Sequence, residues 1–194
     1  MATQDAASPW VIDTRELVRR AGAMKETSRA VTAPDLIGTD VIAIRPGDPV
    51  DLDLRMESVM EGVLATGSVR ATATGVCVRC LDEVEIPVDV HFQELFAYPD
   101  RAAHHQEVAA DEDEQDDVYE LEDDLMDLEE LVRDAVVTAL PFQPVCRDDC
   151  PGLCSECGAR LADDPEHHHD VIDPRWSALA DLAQPGTDDE KKRN

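Results

Sequence analysis

Aromatic side chains are scarce in this chain: three Phe, two Trp and two Tyr among 194 residues. Its core therefore has to be built from Val, Leu, Ile, Ala and Met. Such a core is modest for one domain of ordinary size, and a metal cross-link would reinforce it. Cations are scarce too, with 17 Lys and Arg against 44 Asp and Glu and a formal net charge of −27. A nucleic-acid binder gains affinity by neutralising phosphates with Lys and Arg, so wide contact with a phosphate backbone is disfavoured and a basic protein is the better-matched partner. Most of the negative charge lies beyond residue 90, which leaves room for a local basic face in the N-terminal half. No stretch approaches the roughly 20 apolar residues that cross a bilayer. Met1 to Trp10 has neither the basic nor the apolar region of an export signal. A cytoplasmic chain with reduced thiols and no membrane contact is expected.

Catalytic signatures are missing as well. There is no Gly-rich phosphate loop, no Gly-x-Ser-x-Gly, no His-Glu-x-x-His and no internal repeat. The His-x-Glu of zinc deaminases is also absent, because Phe92 and Gln93 follow His91.

What the chain does have is six cysteines in two clusters, Cys77-Val-Arg-Cys80 and Cys146-x-x-x-Cys150-x-x-x-Cys154-x-x-Cys157. Thiolates two or three residues apart converge on one tetrahedral ion, because a tight turn points both sulfurs inward, and Zn²⁺ favours four such ligands. Structural disulfides would need an oxidising compartment. A redox Cys-x-x-Cys sits at a helix N-terminus, whereas Leu81-Asp-Glu-Val-Glu-Ile-Pro87 after Cys80 alternates like a strand. Pro151-Gly-Leu-Cys154-Ser-Glu-Cys157-Gly158 has the form of a zinc-ribbon knuckle, its glycine freeing backbone N–H groups to bond the sulfurs. Two tetrahedral sites need eight ligands, and the six cysteines with His167 and His169 supply them; one Zn²⁺ on four thiolates with two spare cysteines is the equal alternative. An all-thiolate site is closed, so the metal is read as structural and the protein as no enzyme. Arg79, between Cys77 and Cys80, is either a solvated turn residue or a contact to a partner.

The patterning places these motifs. Thr14 to Arg20 has the composition of a short helix, and 28–33 and 41–44 read as short strands. Val50, Leu52, Leu54 and Met56 alternate with Asp51, Asp53 and Arg55, the period of a half-buried strand. A second strand runs from about Val63 to Cys77 after a turn at Glu61-Gly62, and a third follows through Val84, Ile86, Val88, Val90 and Phe92. Adjacent strands with short turns make an antiparallel meander, with Cys77 and Cys80 in a hairpin. Asp127 reads as a helix N-cap with Glu130 at the third helical position. Leu128, Leu131, Val132, Ala135, Val136, Ala139 and Leu140 then form one apolar stripe that Pro141 ends. The fold class expected is α+β: an antiparallel β-meander or partly open barrel packed by one main helix, with a C-terminal zinc-knuckle segment. Residues 1–9 and 184–194 read as disordered, and 10–183 as one domain interrupted by an acidic linker at about 100–124. Asp173 to Leu182 reads as a final helix with Pro174 at its first position, docked by Trp176.

The ordered set of these pieces resembles the YceD family, the large-subunit ribosomal RNA accumulation proteins. The likeness runs through Glu61-Gly62, Cys77-Val-Arg-Cys80-Leu81, Phe92-Gln-Glu-Leu-Phe96, the acidic stretch, Ala139-Leu140-Pro141 and Cys150-Pro-Gly-Leu-Cys154-Ser-Glu-Cys157-Gly158, across roughly residues 10–183. The Asp173-Pro-Arg-Trp176 ending and the Ala, Asp and Arg content resemble an actinobacterial member. The resemblance implies a cytosolic, non-enzymatic factor of large-subunit biogenesis needed for accumulation of 23S ribosomal RNA. Combined with the charge, it points to a basic ribosomal protein or assembly factor as partner, with the RNA protected indirectly. A zinc store or delivery protein is one alternative. A zinc-ribbon regulator is another, although the C-terminal cluster has few cations for DNA.

Overall fold

The computed structural model describes residues 8–101 and 119–169. The expected final helix at 173–182, the tail at 184–194 and the acidic run at 111–117 lie outside the described residues.

The centre of the fold is a six-stranded antiparallel sheet. β5 (Pro49–Ser58), β6 (Gly62–Val76) and β7 (Glu83–Ala97) are the expected meander, paired from Ser58↔Val63 to Val50↔Ala71 and from Gly62↔Ala97 to Val76↔Glu83. Alternation decides the faces. Val50, Leu52, Leu54 and Met56 of β5 lie with Val63, Ala65, Val69 and Ala73 of β6 and Val84, Val88, Val90, Phe92 and Phe96 of β7 on the buried side.

Because β7 occupies one edge of β6 along its whole length, β5 and β4 (Ile42–Ile44) share the other edge in tandem. β2 (Met24–Thr32) and β3 (Ile37–Gly38) pair with β5 and β4 in one continuous register, interrupted where Ala33 N–H bonds Asp48 O and Gly47 N–H bonds Ala33 O. Among the described residues β2 and β3 form one edge and β7 the other, with β7 bridged beyond β6 at Ala97, so the sheet is open and the partly open barrel is not what forms. Lys25, Glu26 and Arg29 on β2 are the charges that discourage edge-to-edge pairing.

The helix Glu129–Ala139 packs on β7 and β3, with Leu128, Val132 and Val136 fully buried and Leu131 and Ala135 packed against the core. Ala139, expected in the stripe, faces solvent. Leu128 stands at the cap position without a side-chain cap, yet the Asp127 carboxylate accepts the Glu129 N–H at 2.9 Å, so the expected residue does the capping. Leu140 before Pro141 is extended and ends the helix.

Two three-residue strands were not legible, β1 (Val11–Asp13) and β8 (Leu125–Asp127), which pair antiparallel and bury Trp10, Ile12 and Met126. The expected helix at 14–20 does not form. Thr14 instead donates from both N–H and Oγ1 to Asp124 O, Arg15 turns back on Asp13, and Arg19 lies over the Tyr98 ring and pairs with Asp124. A segment that short has little to repay helix nucleation against such contacts. Residues 119–124, at the end of the span read as linker, are folded: Ala97 bridges Glu120 and a tight turn joins Glu122 to Leu125, with Asp123 and Asp124 both at positive φ.

The chain divides into two compact units, Met1–Cys150 and Pro151–Asn194. The second is held, in its described part, by the Leu153↔Arg160 bridge and by Leu161 N–H to Gly152 O at 3.1 Å.

Candidate metal centres

In the first unit the hairpin between β6 and β7 carries Cys77 and Cys80, and the extended segment after the helix carries Cys146 and Cys150. That segment is laid against the hairpin by Val78 N–H to Pro144 O at 2.9 Å and by Arg79 Nη1, which donates to the carbonyls of Asp148 and Cys150, each at 3.1 Å. Arg79 thus clasps the two halves of the site.

The four sulfurs lie within 4.8 Å of one another. Cys77 Sγ is 3.9 Å from Cys150 Sγ, and Cys80 Sγ is 3.7 Å from Cys146 Sγ. A tetrahedral Zn²⁺ with Zn–S bonds of about 2.3 Å separates its sulfurs by about 3.8 Å, whereas a disulfide needs about 2.05 Å. The spacing therefore fits a metal and no covalent pairing. Cys77 and Cys150 are buried in the core cluster, Cys80 is at its margin, and Cys146 is exposed.

Protonation shows what the cluster asks for. Burial pushes the Cys77 thiol up, but the backbone N–H groups of Cys80, Cys146 and Arg79 outweigh it and bring the thiol down to about 6. Cys80 is pushed up to about 12, first by burial and then by the other three sulfurs. Cys146 is also raised, by Cys150 and by burial. Buried thiolates cannot accumulate beside one another uncompensated, and a divalent cation replaces the protons that otherwise keep them neutral.

In the second unit Cys154, Cys157, His167 and His169 converge within the same limit. Cys157 Sγ is 3.3 Å from His167 Nε2 and 3.2 Å from His169 Nε2, and the two Nε2 atoms are 2.9 Å apart. These separations fall a few tenths of an ångström inside the about 3.3–3.6 Å edges of an S₂N₂ tetrahedron. His168 turns away, its Nδ1 3.0 Å from Glu166 O. This set is more open than the first, with Cys157 and His169 exposed and Cys154 and His167 half-buried.

The two Cys-x-x-Cys turns are built alike. Cys77 N–H bonds Asp82 O at 2.7 Å, as Cys154 N–H bonds Ala159 O at 2.8 Å; Leu81 N–H returns to Cys77 O at 2.9 Å, as Gly158 N–H returns to Cys154 O at 2.8 Å. In both, backbone N–H groups inside the turn point at the first sulfur. The Cys154 thiol is lowered by those of Cys157 and Glu156, the latter 3.4 Å away. Such N–H···S bonds orient and stabilise a metal-bound thiolate. In both, the residue after the second cysteine has positive φ, 73° at Gly158 and 62° at Leu81. The glycine announced this conformation in the sequence; the leucine hid it.

Of the nine cations in residues 1–90, five are engaged by carboxylates. Arg15, Arg19, Lys25, Arg55 and Arg70 are paired with Asp13, Asp124, Glu16, Glu57 and Asp53. Among the described residues no helix is long and apolar enough to cross a membrane.

The family model described as large ribosomal RNA subunit accumulation protein YceD matches residues 65–183. An uncharacterized protein of Mycobacterium tuberculosis is 48% identical over 187 residues, 96% of this chain and 87% of its own length. One of Mycobacterium leprae is 45% identical over 178 residues, covering 92% of this chain and 79% of its own. The uncharacterized protein YlbN of Bacillus subtilis is 30% identical over 113 residues, 55% of this chain and 58% of its own. No solved structure matches.

Proposed function

The chain belongs to the YceD family of large ribosomal RNA subunit accumulation proteins, and we propose that it is a cytoplasmic, non-enzymatic factor of large-subunit biogenesis, needed for 23S rRNA accumulation. In this reading it holds two Zn²⁺ ions, one on Cys77, Cys80, Cys146 and Cys150 and one on Cys154, Cys157, His167 and His169. Its acidic surface meets a basic ribosomal protein or assembly factor, with Arg79 beside the contact, and the RNA is protected indirectly.

The observation that carries the reading is the convergence of four sulfurs within 4.8 Å at the margin of the sheet core, in a chain of this family. Four protein ligands leave no position for substrate, so the metal's contribution is to tie the β6–β7 hairpin to the segment beyond the helix. The net charge of −27 and the pairing of five of the nine cations in residues 1–90 support a protein partner over bare RNA. The openness of the Cys154 set is the one feature that favours zinc delivery as a second reading, since exposed ligands exchange metal more readily.

Depletion of the protein from its own host, followed by sucrose-gradient profiling with quantified 23S and 16S RNA, tests the reading. A selective fall in 23S RNA and large subunits is expected. An unchanged profile would overturn it and leave metal handling as the better account.

A further inference from the structure

Exposed apolar side chains gather at the metal end of the sheet. Phe142 is 96% exposed and Leu81 63%. Leu81 follows Cys80, and Phe142 stands two residues before Pro144, whose carbonyl accepts the Val78 N–H. Val76 and Val78 are exposed on the same hairpin, and Val41, also exposed, joins them through Val76 N–H to Val41 O at 3.2 Å.

Leu81 is the most telling of these. Its φ of 62° is one that L side chains rarely adopt, and the matching position of the other knuckle is Gly158. A leucine there strains the backbone and holds an isobutyl group in water, and neither consequence helps the metal or the core. Around the patch the exposed charge is acidic: Glu83 and Asp148 face solvent, Arg147 is paired with Asp149, and Arg79 is turned onto backbone carbonyls. Two copies of a chain this acidic repel, and phosphate would be repelled by the same rim.

We propose that Val76, Val78, Leu81 and Phe142 form a docking surface for a basic protein of the large ribosomal subunit, one that offers an apolar pocket rimmed by Lys or Arg. This rests on the large-subunit reading above. The turn that gathers the Cys77 and Cys80 sulfurs also sets Val78 and Leu81 on the surface, so metal site and contact are one construction.

The test uses the full-length protein and three variants: Leu81→Gly, Phe142→Ser and, as a control on another exposed residue, Met60→Ser (73% exposed in the wild type). The probes are the total basic protein fraction released from the host's large subunits by high salt and, separately, the salt-stripped RNA core. Glycine relaxes the strained φ, so Leu81→Gly should keep or raise the unfolding midpoint while weakening binding, a combination that a structural role for Leu81 does not produce. Binding to the protein fraction should fall about tenfold or more for Leu81→Gly and Phe142→Ser and stay unchanged for Met60→Ser. In the depleted host these two variants should fail to restore the 23S to 16S ratio.

Equal binding by wild type and both variants overturns the surface, as does wild-type binding to the RNA core alone or self-association that the variants abolish. Full restoration of 23S RNA by both variants overturns the surface while keeping the large-subunit reading. Depletion without effect on 23S RNA overturns that reading, and the binding measurement then decides the surface by itself.

Discussion

Cys77→Ser is expected to abolish the cooperative unfolding transition of the sheet unit. The side chain is 0% exposed, belongs to the core cluster and supplies one of four sulfurs to a site that joins the hairpin to the 140–150 segment. Structural zinc contributes on the order of 10 kcal/mol to small domains, and whole domains are stable by about 5–15 kcal/mol. Even partial loss of that link, about 5 kcal/mol, leaves little folded protein from a core this poor in aromatics. Urea unfolding followed by circular dichroism, with metal content measured on the same sample, checks this. A variant that lost one equivalent of metal yet kept the wild-type midpoint would mark the site as a store.

The second large effect is expected at the other end of β6. A Cβ built on Gly62 would lie 2.1 Å from Phe96 O, 2.8 Å from Phe96 C and 2.9 Å from Ala97 Cα. All three are backbone atoms of the paired strand, in contact with the buried Phe96 and Ala97, so no side chain can swing away to make room. Gly62→Ala must push β7 off β6, at a cost of about 3 kcal/mol. Its signature differs from that of the cysteine variant: the midpoint falls in urea while the metal content of the folded protein stays at the wild-type value. Alanine at Gly62 with an unchanged midpoint would mean that the two strands do not approach so closely.

Local signals show in a sequence, and pairing between distant segments does not. Residues 49–97 were legible because each strand is long, half-buried and alternating, and the helix stripe because Val132 and Val136 recur at helical spacing. β1, β3 and β8 are two or three residues long and carry no measurable period, so only their pairing defines them. At 14–20 a helical composition was overruled by contacts with Asp124, more than a hundred residues away in the chain. The side chains that converge in the two clusters were legible from spacing as candidate ligands, but their grouping was not. That grouping depends on the Val78 to Pro144 contact, which brings Cys146 and Cys150 to the hairpin and leaves Cys154 and Cys157 to the histidines. Leu81 was missed because a leucine gives no hint of positive φ; the hint lay in aligning the two knuckles, where Gly158 holds the same place.

If two metal sites organise this acidic protein, native mass spectrometry of the chain purified without added metal or chelator shows it. Two zinc ions per chain are predicted under native conditions, with all six cysteines reduced in the denatured mass. A single zinc, no zinc, or a denatured mass reporting disulfides would contradict it.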